Sequence, residues 1–184
     1  MLLSIPAFRS PEPDDLLRDH ISLFTDDLKD NPMLDLACGD GHNGLFLASR
    51  GFSVILADRS EEALKQADRS AAALGIPVAL RQVDLEKQDT NPFANDIFSA
   101  VIVFRYLHRF LIPHIKNSLR KSSLLLYETF TTEQAQFGRP KNPEHLLKPG
   151  ELFLWFQEWE IIHAFEGIRE NPQRAIAQLV CRKP

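Results

Sequence analysis

The sequence predicts an α/β fold, a Rossmann-like three-layer sandwich around a seven-stranded, mostly parallel sheet with one antiparallel edge strand. Apolar segments alternate with segments of helical periodicity over the first five strands, which is the pattern of a parallel sheet covered by helices on both faces. Residues 97–104 form an almost continuous apolar run, which is typical of a strand buried on both faces. The last two strand-like segments follow each other without a full helix between them, which indicates an antiparallel edge.

The first half of the chain is predicted to contain three strands separated by helices. Residues 1–30 are interpreted as a helical approach to the first strand, capped by Asp14 or Asp15. Gly51 and Gly75 stop the next two helices, because glycine readily adopts the left-handed conformation found at helix ends. The predicted segments are helices at 15–24, 43–50 and 60–75 and strands at 33–37, 52–57 and 78–83.

The second half contains the remaining four strands and one long insert. The insert, residues 128–150, holds three prolines and is too long for a simple connection in a compact domain. It is therefore predicted to be a lid that closes over an acceptor and offers positive charge to an anionic substrate, and the alternative is a solvated loop. Its relevant side chains are Phe137, Arg139, Lys141, His145 and Lys148. The predicted segments are strands at 97–104, 123–127, 159–165 and 175–181 and helices at 110–119 and 151–156.

Composition excludes several classes of protein. The 184 residues are interpreted as one domain (1–184). They include 21 Lys and Arg against 25 Asp and Glu, which gives a formal net charge of −4 and argues against nucleic-acid binding. The longest apolar run is too short to cross a membrane. Cys38 and Cys181 are far apart and fit neither a disulfide framework nor a zinc site, so a reducing, cytoplasmic location is expected. The six histidines show no metal spacing, so no metal is predicted, and no oligomeric state is indicated.

A glycine loop and two later acids indicate a ligand site at one edge of the sheet. Gly39 and Gly41 follow the first predicted strand, Asp58 ends the second strand 19 residues after Gly39, and Asp84 ends the third. Glycines allow a ligand to approach the backbone, and a carboxylate in the position of Asp58 accepts hydrogen bonds from ribose hydroxyls. Acids after strands also cap helices, but their coincidence at successive strand ends favours a common site.

The charges near the glycines favour one of two cofactor classes. The spacing Gly39-x-Gly41-x-x-Gly44 matches the dinucleotide pattern, which is short and therefore weak evidence. Asp35 and Asp40 would repel a pyrophosphate and would suit a ligand with ammonium and sulfonium groups, which favours S-adenosylmethionine over NAD. An NAD(P)-dependent oxidoreductase and a non-catalytic S-adenosylmethionine-binding domain remain the alternatives.

The motifs described above resemble those of the class I S-adenosylmethionine-dependent methyltransferases, over residues 30–184. Asn43 after the glycines is similar to the small tellurite-resistance-type members, and Ala37 stands where the family frequently has its first glycine. The resemblance implies an enzyme that transfers a methyl group to an acceptor, which is expected to be a small molecule because no added substrate domain is evident. The residues implied at the cofactor are Asp35, Ala37, Cys38, Gly39, Asp40, Gly41, Asn43, Asp58, Arg59, Asp84, Leu85, Phe104 and Arg105.

Three residues are candidates for a general base, which methyl transfer needs only when the nucleophile carries a proton. His108 lies just after the fourth strand, where the resemblance places the transferring methyl, and its side chain titrates near neutral pH. Tyr106 shares that segment, and Glu128 follows the fifth strand. The acceptor and the atom that is methylated are not indicated by the sequence.

Overall fold

The computed structural model describes residues 11–86 and 93–184, so the first ten residues of the predicted helical approach lie outside the described part. The strands are β1 (Met33–Leu36), β2 (Val54–Asp58), β3 (Ala79–Gln82), β4 (Phe98–Phe104), β5 (Leu119–Phe130), β6 (Glu160–Arg169) and β7 (Arg174–Arg182). The α-helices in the described residues are α1 (Asp15–Asp19), α2 (His42–Ala48), α3 (Glu61–Leu74), α4 (Leu111–Ser118) and α5 (Glu151–Phe156).

The strands form one seven-stranded sheet in the order β3-β2-β1-β4-β5-β7-β6. β1 pairs in parallel with β2 and β4, and the parallel part extends to β3 on one side and β5 on the other. β7 runs antiparallel to β5, and β6 completes this edge as the outer strand of a β6–β7 hairpin. The predicted fold class is confirmed, with the reversed strand β7 lying between β5 and the outermost strand β6.

Two apolar clusters cover the two faces of the sheet. One contains Leu17, Leu47 and Leu64, so α1, α2 and α3 pack on the same face. The other contains Ile115 and Phe156, so α4 and α5 pack on the opposite face. Every residue of β4 is buried, as its continuous apolar run predicts, because a central parallel strand is covered by helices on both sides.

Three predicted elements differ most in length from the observed ones: α1, β5 and β6, of which β6 runs to Arg169 instead of ending at 165. The N-terminal helix ends at Asp19 and is followed by 3₁₀ turns at Ile21–Leu23 and Asp26–Asp30. The Leu16 carbonyl, which a longer helix would use internally, lies 2.9 Å from His20 Nδ1. β5 is longer than predicted because it pairs with β7 up to Phe130, so the first residues of the predicted insert belong to the sheet.

The described helices include none with the length and apolar character required to cross a membrane. Cys38 and Cys181 are both buried free thiols. Within residues 11–86 and 93–184, no three His, Cys, Asp or Glu side chains are grouped as a metal site would require. The cytoplasmic location stays a prediction.

Candidate functional site: a cavity at the carboxyl ends of the parallel strands

A large concave feature of the described structure opens where β1, β2, β3 and β4 end. β1 and β4 are neighbours in the sheet although β2 and β3 lie between them in the chain, which creates the crevice where ligands of open α/β sheets bind. The cavity has a volume of about 580 Å³, within the range of roughly 300–1,000 Å³ common for small-molecule sites. Its lining residues are Ala37, Asp58, Arg59, Leu85, Glu86, Arg105, Tyr106, Leu107, Arg139, Pro140 and His145.

The loop after β1 brings its backbone to the cavity through a series of left-handed residues. Ala37, Gly39 and Gly41 have φ angles of 56°, 56° and 79°. A Cβ at Gly41 would lie only 3.0 Å from the side chains of Leu56 and Ala67, and the φ of this turn would strain any other residue there. Ala37, which departs from the family's frequent glycine, adopts a glycine-like conformation in spite of its methyl group.

Asp58 is the carboxylate of this site, and the protein holds it from two sides. Its Oδ2 accepts a hydrogen bond from the Gly39 backbone N–H at 2.9 Å, and its Oδ1 accepts one from the Ser60 N–H at 2.8 Å. A carboxylate has about four acceptor positions, so both oxygens retain capacity for ligand hydroxyls. Asp58 therefore couples the end of β2 to the glycine loop and presents a fixed anion to the cavity.

The Tyr106 hydroxyl is buried and has no hydrogen-bond partner among the described residues. Burial raises the pKa of this phenol well above its usual range, and the carboxylate of Glu86 adds to the effect. Tyr106 is therefore a protonated hydroxyl at neutral pH, which disfavours the predicted role of general base. Because an unpaired buried hydroxyl costs about 1–3 kcal/mol, a polar ligand atom at this wall would relieve an existing deficit.

The insert forms one wall of the cavity through Arg139, Pro140 and His145. An isolated β-bridge between Thr131 and Leu147 joins the two ends of the insert. The insert contains 3₁₀ turns at Thr132–Gln136 and Pro143–His145. The side-chain carboxamide of Gln134 accepts from the Ala175 N–H and donates to the Arg139 carbonyl. The segment is thus anchored to the sheet.

Arg109, which the sequence analysis did not single out, ties the insert to the loop after β4. Its Nε and Nη2 each donate at 2.8 Å to the Glu151 carboxylate. Its Nη1 and Nη2 also donate to the Glu144 and Leu146 carbonyls at 2.9 Å. Only an arginine offers this planar set of donors, so Arg109 determines where the insert stands over the cavity.

Asp35 lies behind the glycine loop and does not line the cavity. Its side chain is buried at 2% exposure and accepts from the Gly44 N–H at 2.8 Å. A Cβ at Gly44 would lie 2.2 Å from Leu56 and 2.9 Å from this carboxylate, so glycine is required there. Asp35 therefore has a structural role at the start of α2, and its predicted contact with the cofactor amino group stays a prediction.

We expect Asp35→Asn to stabilise the protein more at about pH 8 than at about pH 4. Burial raises the pKa of Asp35 to about 7, outweighing the Gly44 hydrogen bond, which lowers it. Between about pH 4 and pH 7 the unfolded chain loses this proton while the native protein keeps it, so stability falls as pH rises. The free energy of unfolding of the wild type falls by at most on the order of 4 kcal/mol over this pH range.

Urea unfolding of wild type and variant at both pH values measures this difference, and Asp68→Asn on an exposed face of α3 is the matched control. The control should show no pH-dependent gain. An equal effect of Asp35→Asn at the two pH values would contradict a buried, neutral Asp35.

Some of the other predicted residues line the cavity and some do not. Those that line it are Ala37, Asp58, Arg59, Leu85, Arg105 and Tyr106. Those outside its lining are Asp35, Cys38, Gly39, Asp40, Gly41, Asn43, Asp84, Phe104, His108 and Glu128. Glu86 and Leu107 also line the cavity but were not among the predicted site residues, although Glu86 follows Leu85 directly and Leu107 lies between Tyr106 and His108.

Two predicted general bases are positioned elsewhere. Glu128 is 1% exposed, burial raises the pKa of its carboxyl, and Gln178 donates to it at 2.6 Å. It faces the α1 side of the sheet, because it follows Leu124 and Leu126 at alternate positions of β5. His108 lies in an adjoining cleft with Arg109 and Glu144. The imidazole that lines the main cavity is that of His145, which lies in the predicted lid.

Comparison with known proteins identifies the family to which the chain belongs. The model of the family described as "Methyltransferase domain" matches residues 33–127, more than half of the chain. The chain belongs to this methyltransferase family. Membership confirms the predicted enzyme class and the cofactor, S-adenosylmethionine, and gives the NAD(P) alternative no support.

Individual relatives of this methyltransferase are distant. Hemagglutinin 1 of Eikenella corrodens is 27% identical over 140 residues, which cover 73% of this chain and 46% of that protein. The tRNA 5-carboxymethoxyuridine methyltransferase of Escherichia coli K12 is 25% identical over 156 residues, covering 71% and 60%. The chain therefore spans about half to three fifths of the length of these curated relatives.

The resemblance to the tellurite-resistance-type proteins is also confirmed. The probable S-adenosyl-L-methionine-dependent methyltransferase TehB of Haemophilus influenzae is 23% identical over 145 residues, covering 75% of this chain and 49% of that protein. The crystal structure of TehB from that species has a TM-score of 0.69 at 18% identity, covering 90% of this chain and 62% of that one. At this identity the structural match demonstrates the shared fold.

The residues of the methyltransferase fit the cofactor. The cavity volume is sufficient for a nucleoside with an amino-acid chain, Asp58 retains acceptor positions for ribose hydroxyls, and the Tyr106 hydroxyl lacks a partner. The lining residues follow the order of the sheet, with Leu85 after β3, Asp58 after β2, Ala37 after β1 and Arg105 after β4.

Proposed function

We propose that this protein transfers a methyl group from S-adenosylmethionine to a small polar acceptor that binds between the cavity and the insert. The observation that carries the proposal is the cavity of about 580 Å³ that joins the anchored Asp58 carboxylate to the insert residues Arg139 and His145. The cofactor supplies a methyl group already activated on a positively charged sulfur. The protein therefore needs mainly to bind both partners and align them, which accounts for much of the rate gain in such reactions.

The chain's own residues have distinct roles in this proposal. Asp58 holds the ribose, and Leu85 and Leu107 contribute apolar surface for the adenine. Arg139 and His145 face the cavity from the insert, which acts as the lid over the acceptor and excludes water. His145 was not among the predicted bases, but it lines the cavity, and in this proposal it accepts a proton if the acceptor carries one.

A small acceptor is favoured because the insert narrows access to the cavity. The basic side chains beside it are accompanied by Asp58 and Glu86, and the whole chain carries a net charge of −4. This balance is unlike the continuous basic surface that polynucleotide binding requires. A relative is named for methylation within tRNA, so RNA is the acceptor class that the experiment must test against.

The proposal is tested first by calorimetric titration with S-adenosylhomocysteine and with NADH. We expect binding of S-adenosylhomocysteine and none of NADH. The enzyme is then incubated with S-adenosylmethionine labelled on its methyl group and either a low-molecular-weight metabolite extract or total tRNA. Label should enter the metabolite fraction, and Asp58→Ala serves as the inactive control.

Three outcomes would contradict the proposal in different ways. Binding of NADH alone would overturn the cofactor. Label in tRNA alone would overturn the small acceptor. Cofactor binding without transfer to either fraction would favour the alternative of a non-catalytic S-adenosylmethionine-binding domain.

A further inference from the structure

One carboxylate, that of Asp14, connects the N-terminal segment to both sides of the cofactor site. Its Oδ2 accepts from Asn43 Nδ2 at 2.9 Å and lies 3.1 Å from His42 Nε2. Its Oδ1 accepts from the Arg105 guanidinium. The Asp14 backbone N–H donates back to Asn43 Oδ1 at 2.8 Å. The Asp14 side chain is only 11% exposed, so these partners enclose it.

The partners of Asp14 come from two different segments of the sheet edge. His42 and Asn43 begin α2 directly after the glycine loop, and Arg105 follows β4. Asp14 immediately precedes α1, so its carboxylate joins three segments that are far apart in sequence. This junction lies at the β1–β4 end of the cavity, across β1 from Asp58, which is the end left for the methionine part once Asp58 holds the ribose.

Arg105 is held in an unfavourable backbone conformation at this junction. Its φ is +56°, a left-handed value that a non-glycine residue adopts at an energetic cost. Its backbone N–H donates to the Glu128 carbonyl at 2.8 Å, and its side chain is bound by Asp14. The side chain is 48% exposed and lines the cavity. The strained backbone and the anchored side chain together direct a cation into the site.

Arg105 has donors to spare for a ligand. A guanidinium carries five N–H groups. Among the described residues, the Arg105 side chain makes one hydrogen bond, which is the one to Asp14. Such a fork matches the geometry of a carboxylate. The methionine part of the cofactor carries one carboxylate and one ammonium group.

The neighbouring charges alternate in a way that suits this zwitterion. His42 lies between two carboxylates, 2.7 Å from Asp40 and 3.1 Å from Asp14. The hydrogen bond to Asp14 outweighs burial and, together with that to Asp40, raises the pKa of His42 to about 9. At neutral pH two anions, Asp14 and Asp40, are therefore balanced by two cations, His42 and Arg105. Asp14 is thus neutralised by its own partners and does not repel a carboxylate bound at Arg105.

We propose that Arg105 binds the carboxylate of the cofactor's methionine part and that Asp14 is the positioning residue that directs it there. This inference rests on the proposed function, because it assumes that S-adenosylmethionine occupies the cavity. It assigns to the N-terminal segment a role in cofactor recognition, and it identifies Asp14 as a residue that no motif in the glycine loop would reveal.

The test compares two ligands that differ in the amino-acid part, which carries the carboxylate together with the ammonium group. S-Adenosylhomocysteine carries the amino-acid part, whereas 5′-methylthioadenosine has the same adenosine and sulfur without it. Calorimetry gives the affinity of wild type, Asp14→Asn and Arg105→Gln for each ligand. Asp15→Asn is the matched control, because the exposed Asp15 is paired with Arg18 within the described part of the chain and does not line the cavity. Arg105→Lys, which keeps the charge without the fork, should recover part of the affinity.

We expect Asp14→Asn and Arg105→Gln to weaken S-adenosylhomocysteine binding roughly tenfold or more and to leave 5′-methylthioadenosine binding unchanged within about twofold. Equal weakening of both ligands would show that the residues act only through the fold and would overturn the inference. Unchanged affinity of the variants for both ligands would also overturn the inference and would point to a role of Arg105 in binding the acceptor. If wild type binds neither ligand, the proposed function itself fails.

Discussion

Asp58→Ala is expected to lower the affinity for S-adenosylhomocysteine at least about 100-fold, because hydrogen bonds to a charged group contribute roughly 1.5–3 kcal/mol each. The variant loses two acceptors for the ribose hydroxyls and also frees the Gly39 and Ser60 N–H groups that position the loop. Isothermal titration calorimetry measures the change. Because cofactor binding precedes methyl transfer, activity should fall at least as far.

Two further variants separate the charge of Asp58 from its shape. Asp58→Asn keeps one acceptor but directs an amide N–H toward a backbone donor, so its affinity should lie between wild type and Asp58→Ala. Asp68→Ala removes an exposed carboxylate from α3 and should bind like wild type. Wild-type affinity in Asp58→Ala would sink the assignment of this carboxylate to the cofactor.

Arg109→Ala is expected to release the insert from its position over the cavity. The substitution removes the hydrogen bonds to Glu151, Glu144 and Leu146 and leaves the Glu151 carboxylate, only 17% exposed, without its cation. We expect a loss of roughly 2 kcal/mol in the free energy of unfolding, seen as a melting temperature about 4–8 °C lower. Hydrogen exchange of residues 132–147 should accelerate.

The controls for this variant distinguish geometry from charge. Arg109→Lys keeps the charge but cannot make the bidentate contact, so it should recover only part of the stability. Arg120→Ala removes an exposed arginine that donates to the side chain of Asn31, and it should change stability little. Unaltered exchange in residues 132–147 of Arg109→Ala would mean that the insert is held by other contacts.

Much of the fold follows from short stretches of sequence. The alternation of apolar and amphipathic segments identified all seven strands, and the fully buried β4 matches its uninterrupted apolar run. The extents of α1 and β5 were wrong. α1 gives way to a 3₁₀ turn after Asp19, where the Leu16 carbonyl lies beside the His20 imidazole, and β5 continues past its predicted end because residues 124–130 pair with the distant strand β7. Element boundaries are decided by such partners more than by local propensity.

The candidate site was predicted in part. Asp58 and Asp35 both end or lie in strands beside the glycine loop, and sequence alone treats them alike. In the structure Asp58 faces the cavity, whereas Asp35 turns inward to the Gly44 N–H. Asp35 pairs in register with Leu56, two residues before Asp58, so the two acids point to the same face of the sheet and differ in how far along it they lie. Asp58 lies at the carboxyl end of β2, beside the cavity, whereas α2 covers Asp35, and the sequence pattern alone does not show this difference.

The sequence by itself determined the sheet architecture, the glycine loop and the acid that follows β2, because these depend on local periodicity and on the conformational freedom of glycine. Only the tertiary structure decided that Arg139 and His145 line the same cavity as Asp58, that Arg109 holds the insert against the loop after β4 and that Asp14 joins α1 to Arg105. The physical reason is distance along the chain. A hydrogen bond between residues 91 positions apart, such as Asp14 and Arg105, leaves no periodic trace in either segment.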